Sequence, residues 1–110
     1  MKFKFNHKGK EVEIDVRVCD NVFSKASGLM FRRNSKPLLF TFNKPTRQPI
    51  LSFFCKPFYA IWFEGDRIVD ERLIDRWMIN IRPECKFDRL LEIPSNGREF
   101  SDFVDGKRNI

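Results

Sequence analysis

One histidine, three cysteines and a few clustered carboxylates are the residues with which this chain could make or break bonds. His7 stands in the polar stretch "HKGK", which reads as an exposed turn and a poor seat for a general base. Nucleophilic chemistry at Ser or Cys wants a base within hydrogen-bond reach, and no second imidazole exists to supply it. Cys19, Cys55 and Cys85 lie thirty or more positions apart, an odd number at a spacing that suits neither a disulfide framework nor a zinc knuckle. A site of three cysteines and one histidine can be assembled on paper, but nothing in the spacing favours it. The thiols read as buried or idle in a reducing cytosol.

Two carboxylate pairs, Asp70-Glu71 and Glu64-Asp66, have the composition of a glycosidase-like acid and base. Both alternate with Arg67 and Arg72, however, and read as charges on a strand face or turn. Glu92 differs, because it sits between Leu91 and Ile93 in an apolar strand. It either faces outward or pairs with an arginine at a partly buried site, Arg32 and Arg47 being suitable partners. No phosphate-loop glycine pattern and no paired metal-ligand motif occurs. The expectation is a protein without catalytic residues, cofactor or metal.

Charge gives a stronger lead. The formal net charge is +6, yet no acidic residue lies between Asp20 and Glu64. That interval holds seven positives, Lys25, Arg32, Arg33, Lys36, Lys44, Arg47 and Lys56, and ten of the sixteen aromatic residues. The candidate ligand-binding residues are therefore Arg32, Arg33, Lys36, Arg47 and Lys56, with Glu92, on a basic face spanning residues 25–56. Such a face suits an anionic ligand or protein partner. Interleaved with Phe40, Phe42, Phe53, Phe54, Tyr59 and Trp62, it also resembles the stacking-and-cation chemistry of single-strand nucleic-acid binders. Against that, these rings fall in apolar runs of the kind that form cores.

The elements that would position these residues are mostly strands. In residues 2–18, Phe3 and Phe5 alternate with polar neighbours, "HKGK" turns, and Val12, Ile14, Val16 and Val18 alternate with charges, predicting a hairpin with one buried face. A short helix is expected over 20–28, capped by Asp20 or Asn21 and ended by Gly28 at positive φ. In "SGLMFRRNSKPLLFTF", at least two of Leu29, Met30 and Phe31 should plug the core, Met30 among them. Arg32 and Arg33 then point to opposite sides. They are either a solvated pair, or Arg32 clamps a carboxylate or phosphate.

Further strands are expected at 37–42, 50–55, 58–63, 67–74 and 87–93, with a Pro-rich loop at 43–49 and a hairpin turn at Gly65-Asp66. Residues 75–85 read as an irregular crossing, and the last ten as a brief pairing around Phe100, Phe103 and Val104. A chain of 110 residues is expected to form a single domain, 1–110, mainly β: a small antiparallel barrel or sandwich of about seven strands with one short helix. No run approaches the roughly 20 apolar residues of a membrane span. The N-terminus reads as neither signal peptide nor transit helix, so a soluble cytoplasmic protein is expected.

Several short motifs occur in a telling order: Gly28-Leu29-Met30 with Arg32, Leu38-Leu39-Phe40 with Phe42, a strand ending at Phe63, Ile68-Val69, Leu91-Glu92-Ile93-Pro94, and Gly106. Over roughly residues 12–106 the chain resembles the domain of unknown function 192 family of bacteria and archaea. Where many members carry Met-Lys-Asn-Thr before an "LD" pair, this chain has Phe54-Cys55-Lys56-Pro57, with Ala60 at the position of the Asp. Ser95 and Asn96 replace the small residue and glycine that usually follow the Leu-Glu-hydrophobic-Pro motif. The resemblance implies a mainly β fold and no defined activity.

Overall fold

The computed structural model describes residues 1–19, 37–47, 57–74, 83–95, 99–101 and 103. The expected helix at 20–28, the strand at 50–55, and the placements of Gly28, Met30, Arg32, Arg33, Lys36 and Lys56 lie outside these residues.

Among the described residues, seven strands form two sheets. β1 (Lys2–His7) and β2 (Lys10–Asp15) make the expected hairpin, antiparallel from Lys2↔Asp15 to His7↔Lys10. Its loop is only Lys8 and Gly9, with φ of 53° and 83°. Two successive positive φ values define the type I′ turn, whose twist matches the strands it joins. His7 is thus the last residue of a strand, not part of an exposed turn.

At Val16 the chain leaves this hairpin and enters the second sheet as β3 (Arg17–Cys19). Its other strands are β4 (Leu38–Thr46), β5 (Phe58–Glu64), β6 (Arg67–Ile74) and β7 (Phe87–Pro94), in the spatial order β3-β4-β7-β5-β6. All neighbours are antiparallel except β3 and β4, which run parallel. The sheets do not close into a barrel; of the two expected architectures, the layered one is present. β4 continues through the expected Pro-rich loop as far as Thr46, because a register shift between Thr41 and Thr46 leaves Pro45 unpaired and exposed. β5 and β6 meet at Gly65-Asp66, where Gly65 takes φ of 60°. Residues 99–101 and 103 are helical rather than extended. Among the described residues, no helix is long and apolar enough to cross a membrane.

Alternation assigns two apolar clusters to the two faces of the large sheet. One joins Leu39, Tyr59, Ile61, Phe63, Leu91 and Ile93 to Phe3, Phe5, Ile14 and Val16 of the hairpin segment and to Phe103. Phe63 meets Phe3 and Phe5 edge-on at 5.4 and 5.3 Å. The opposite face gathers Leu38, Phe40, Phe58, Ala60, Trp62, Ile74, Phe87 and Leu90. Within the expected Val12–Val18 stripe, Ile14 and Val16 are buried and Val12 packs partly against the core. Val18 departs from it at 39% exposure, because it lies on the edge strand β3.

Candidate functional site

Three polar constellations arise from this frame. The first joins the hairpin to the sheet. β1 ends at His7, and its Nε2 lies 3.0 Å from Oε1 of Glu71 on β6. The Tyr59 hydroxyl on β5 donates to the same carboxylate oxygen. The register pairs Glu71 with Ile61 and Leu73 with Tyr59, so Tyr59 reaches Glu71 diagonally across neighbouring strands. The Phe103 ring closes over both, 5.0 Å from the His7 ring and stacked 5.6 Å from Tyr59. Burial, the bond to Glu71 and the charges of Glu71 and Asp70 together hold the Tyr59 hydroxyl well above its ordinary range. With side chains of His7 and Glu71 only 14% and 20% exposed, the cluster works as a polar tie between the layers. A tyrosine inside the wholly apolar run 58–63 was the available signal, since a buried hydroxyl requires a partner.

The second lies on the opposite face. Across β4, β7, β5 and β6 the register sets Leu38, Glu92, Ala60 and Arg72 in one row. Glu92 is 6% exposed, so it does not face outward. β7 has strands on both sides and an apolar cluster over each face, leaving no solvent side for it. Among the described residues no cation or hydrogen-bond donor reaches its carboxyl, and burial alone pushes its pKa up to about 8. Arg47 cannot be its partner. Leu38 faces Glu92 while Thr46 faces Phe87, placing Arg47 beyond the other end of the ladder. Five residue steps along β7 separate the two levels, about 17 Å. Arg72 instead pairs with Asp70 at 2.7 Å and lies 5.6 Å from the centre of the Trp62 ring. Trp62 Nε1 is buried without an acceptor among the described residues.

These placements separate the candidate acid–base pairs. Asp70 aligns with Trp62 and pairs with Arg72, whereas Glu71 lies on the other face with His7. Glu64 pairs with Arg67 at 3.2 Å, and Asp66 is fully exposed on the turn, 4.0 Å from Arg89. Among the described residues, no group of three or more His, Cys, Asp or Glu side chains could hold a metal.

The third constellation belongs to the basic segment. Lys44, Arg47 and Lys86 are exposed, and the Thr46↔Phe87 pairing draws the last two together. Arg47 donates to the Pro83 carbonyl through Nε at 3.4 Å and Nη2 at 3.2 Å. The rings expected to interleave with this charge are largely core: Phe40, Tyr59 and Trp62 are buried, and Phe42 is half-buried edge-on to Phe87. Phe53 and Phe54 lie outside the described residues. The described rings therefore build the sheet's interior rather than an exposed stacking platform.

No family model and no curated protein sequence matches the chain. Solved structures do. A protein of unknown function from Novosphingobium aromaticivorans DSM 12444 is 16% identical, with a TM-score of 0.74 over 86% of this chain and 73% of that one. A Sinorhizobium meliloti 1021 protein described as a "putative transcription regulator" is 15% identical, with a TM-score of 0.74 over 93% of this chain and 82% of that one. At such identity the likeness shows a shared fold, the mainly β architecture derived above.

Proposed function

We propose that the protein is a non-enzymatic binding module that takes an anionic partner on its basic segment, residues 25–56. One observation carries this reading. Lys44 and Arg47, the described cations of that segment, stand exposed beside Lys86 with no carboxylate within ion-pair distance among the described residues. Of the other described cations, Lys4, Arg67, Arg72 and Arg89 each have a carboxylate within 4.0 Å, whereas Lys2, Lys8, Lys10 and Arg17 share the uncompensated state among the described residues. Uncompensated charge attracts an anion over distances set by salt. The divergence of Asp70 from Glu71 supports a binding role over acid–base catalysis. Cys85, exposed and unbridged, suits a reducing cytoplasm. Membership of the domain of unknown function 192 family is supported by where its motifs fall: Leu38-Leu39-Phe40, Phe63, Ile68-Val69 and Leu91–Pro94 lie on four successive strands of one sheet.

The test is binding to heparin, poly-glutamate and single-stranded DNA at about 50 and 200 mM salt, where phosphate contacts weaken steeply. Wild type should bind at least one of these polyanions at the lower salt. Lys44→Glu/Arg47→Glu/Lys86→Glu should weaken that binding by about tenfold or more, as expected when several cations are reversed. A folded wild type that ignores all three would overturn the reading. Binding confined to single-stranded DNA would identify the partner as nucleic acid.

A further inference from the structure

We infer that the free edge of β1 is a docking site for an extended peptide of a partner protein, added as a third strand to the hairpin. The inference is independent of the basic segment. Its first support is the direction of the backbone groups. Val16 N–H donates to the Met1 carbonyl at 2.7 Å, and the Met1 nitrogen donates to the Val16 carbonyl at 3.0 Å. That reciprocal exchange marks Met1–Val16 as a hydrogen-bonded pair. In an antiparallel ladder hydrogen-bonded and non-hydrogen-bonded pairs alternate. The register then makes Phe3–Ile14, Phe5–Val12 and His7–Lys10 the other bonded pairs. Lys2, Lys4 and Asn6 occupy the intervening positions, so their N–H and C=O groups point away from β2. No other described strand takes them up, since β1 and β2 form a sheet of two.

The second support is the space beside that edge. A cleft of about 340 Å³ runs between Lys4 and Asn6 of β1 on one side and Gly65, Asp66 and Arg89 on the other. The edges of Phe3 and Phe5, each 7% exposed, line its base over the buried Phe63. The volume falls at the lower end of the roughly 300–1,000 Å³ typical of ligand clefts.

Together these features specify the occupant. Donor and acceptor groups recurring every second residue, about 7 Å apart, are matched by another extended backbone. The phenylalanine floor receives apolar side chains from one face of such a strand. The rim carries both signs, Lys4 and Arg89 against Glu11 and Asp66, so it selects a peptide of low net charge. The partner is therefore an uncharged or weakly charged segment alternating apolar and polar residues. Main-chain bonds supply its affinity, and the floor supplies its specificity.

The experiment selects alternating apolar/polar hexapeptides from a displayed library against the full chain, then measures binding and amide exchange with the best peptide. Exchange at Lys4 and Asn6 should slow by about tenfold or more, the protection expected of a ladder bond. Lys4→Pro deletes an outward N–H without touching a hairpin bond, and should weaken binding by about tenfold or more. Glu13→Pro, at the corresponding outward position on β2, should change it less than about twofold. If Lys4→Pro fails to fold, the same peptide N-methylated at alternate positions tests the main-chain bonds instead, and it should lose binding. Protection appearing on β6 instead of β1, equal binding by Lys4→Pro, or unchanged binding of the N-methylated peptide would each overturn the site. So would protection of Lys4 and Asn6 that rises with protein concentration in the absence of peptide, which would assign the edge to self-association.

Discussion

His7 Nε2 lies 3.0 Å from Glu71 Oε1, and this contact joins residues 64 positions apart, from the tip of the hairpin to the outer strand of the sheet. The same carboxylate oxygen takes the Tyr59 hydroxyl, so three strands converge on one acceptor. Removing a charged acceptor from two buried donors costs more than an exposed ion pair does.

Glu71→Ala should therefore destabilise the protein by about 2–4 kcal/mol in urea unfolding, as it removes the acceptor that the Tyr59 hydroxyl and His7 share. Tyr59→Phe removes donor and desolvation cost together, and should cost less, about 1 kcal/mol. A double-mutant cycle between His7→Ala and Glu71→Ala should return a coupling above about 0.5 kcal/mol. Additive effects would show that the tie contributes nothing.

Glu92 makes stability depend on pH with a definite sign. Its carboxyl titrates near 4.5 in the unfolded chain and is pushed up to about 8 in the fold. Between those values the folded state holds a proton that the unfolded state has released, so stability falls as pH rises through the window. It levels off above about pH 8. The difference in unfolding free energy between wild type and Glu92→Gln should accordingly drift by a few kcal/mol from pH 4.5 to pH 8. Wild type loses about 1.4 kcal/mol for each tenfold fall in proton concentration across that range. A difference that stays constant throughout would place Glu92 in water.

The hairpin turn offers a backbone test free of packing effects. Lys8 is held at φ of 53°, where a lysine is disfavoured, and Gly9 sits at 83° with open space around a would-be Cβ. Lys8→Asn should stabilise by about 0.5 kcal/mol, since Asn tolerates this conformation. Gly9→Ala should cost about 1 kcal/mol from strain alone. Thermal melts of both variants check the opposite signs.

Phe63 tests whether hairpin and sheet share one core. Its ring touches Phe3 and Phe5 of β1 from within β5. Phe63→Ala should cost about 3–5 kcal/mol and speed amide exchange across β1 and β2 as well as β5. Loss of protection restricted to β5 would mean that the layers are energetically separate.

Much of the local structure was legible from residue patterns, and little of the pairing was. A period of two with Lys8-Gly9 fixes the first hairpin, and Gly65-Asp66 fixes the second. His7 was misplaced because only two of the four residues in "HKGK" form the loop. Phe100 and Phe103 are three apart, a helical spacing that a strand reading overlooked, and both pack on the core from the helical segment. Glu92 was ambiguous because alternation decides which face a residue joins, not whether that face meets water. That depends on β7 lying between β4 and β5, a long-range fact without a local signature. The same placement, through the β4–β7 register, parts Arg47 from Glu92.

The position of β7 also governs how the chain can fold. The middle strand of the large sheet is the last of the seven described strands to be made, so the edges of β4 and β5 that it pairs with wait until residues 87–94 arrive. Until then, among the described strands, β4 pairs with β3 and β5 with β6, and β7 is the described strand that joins these two ribbons. Contacts of such large sequence separation place the chain among the slow folders, on a scale of roughly milliseconds to seconds. During synthesis it would display two sticky strand edges, flanked by Leu38-Leu39-Phe40 and by the whole apolar run of β5. A ribosome-stalled chain ending before residue 87 should therefore be captured by chaperones and cut readily by protease, and one extended past residue 94 should resist both.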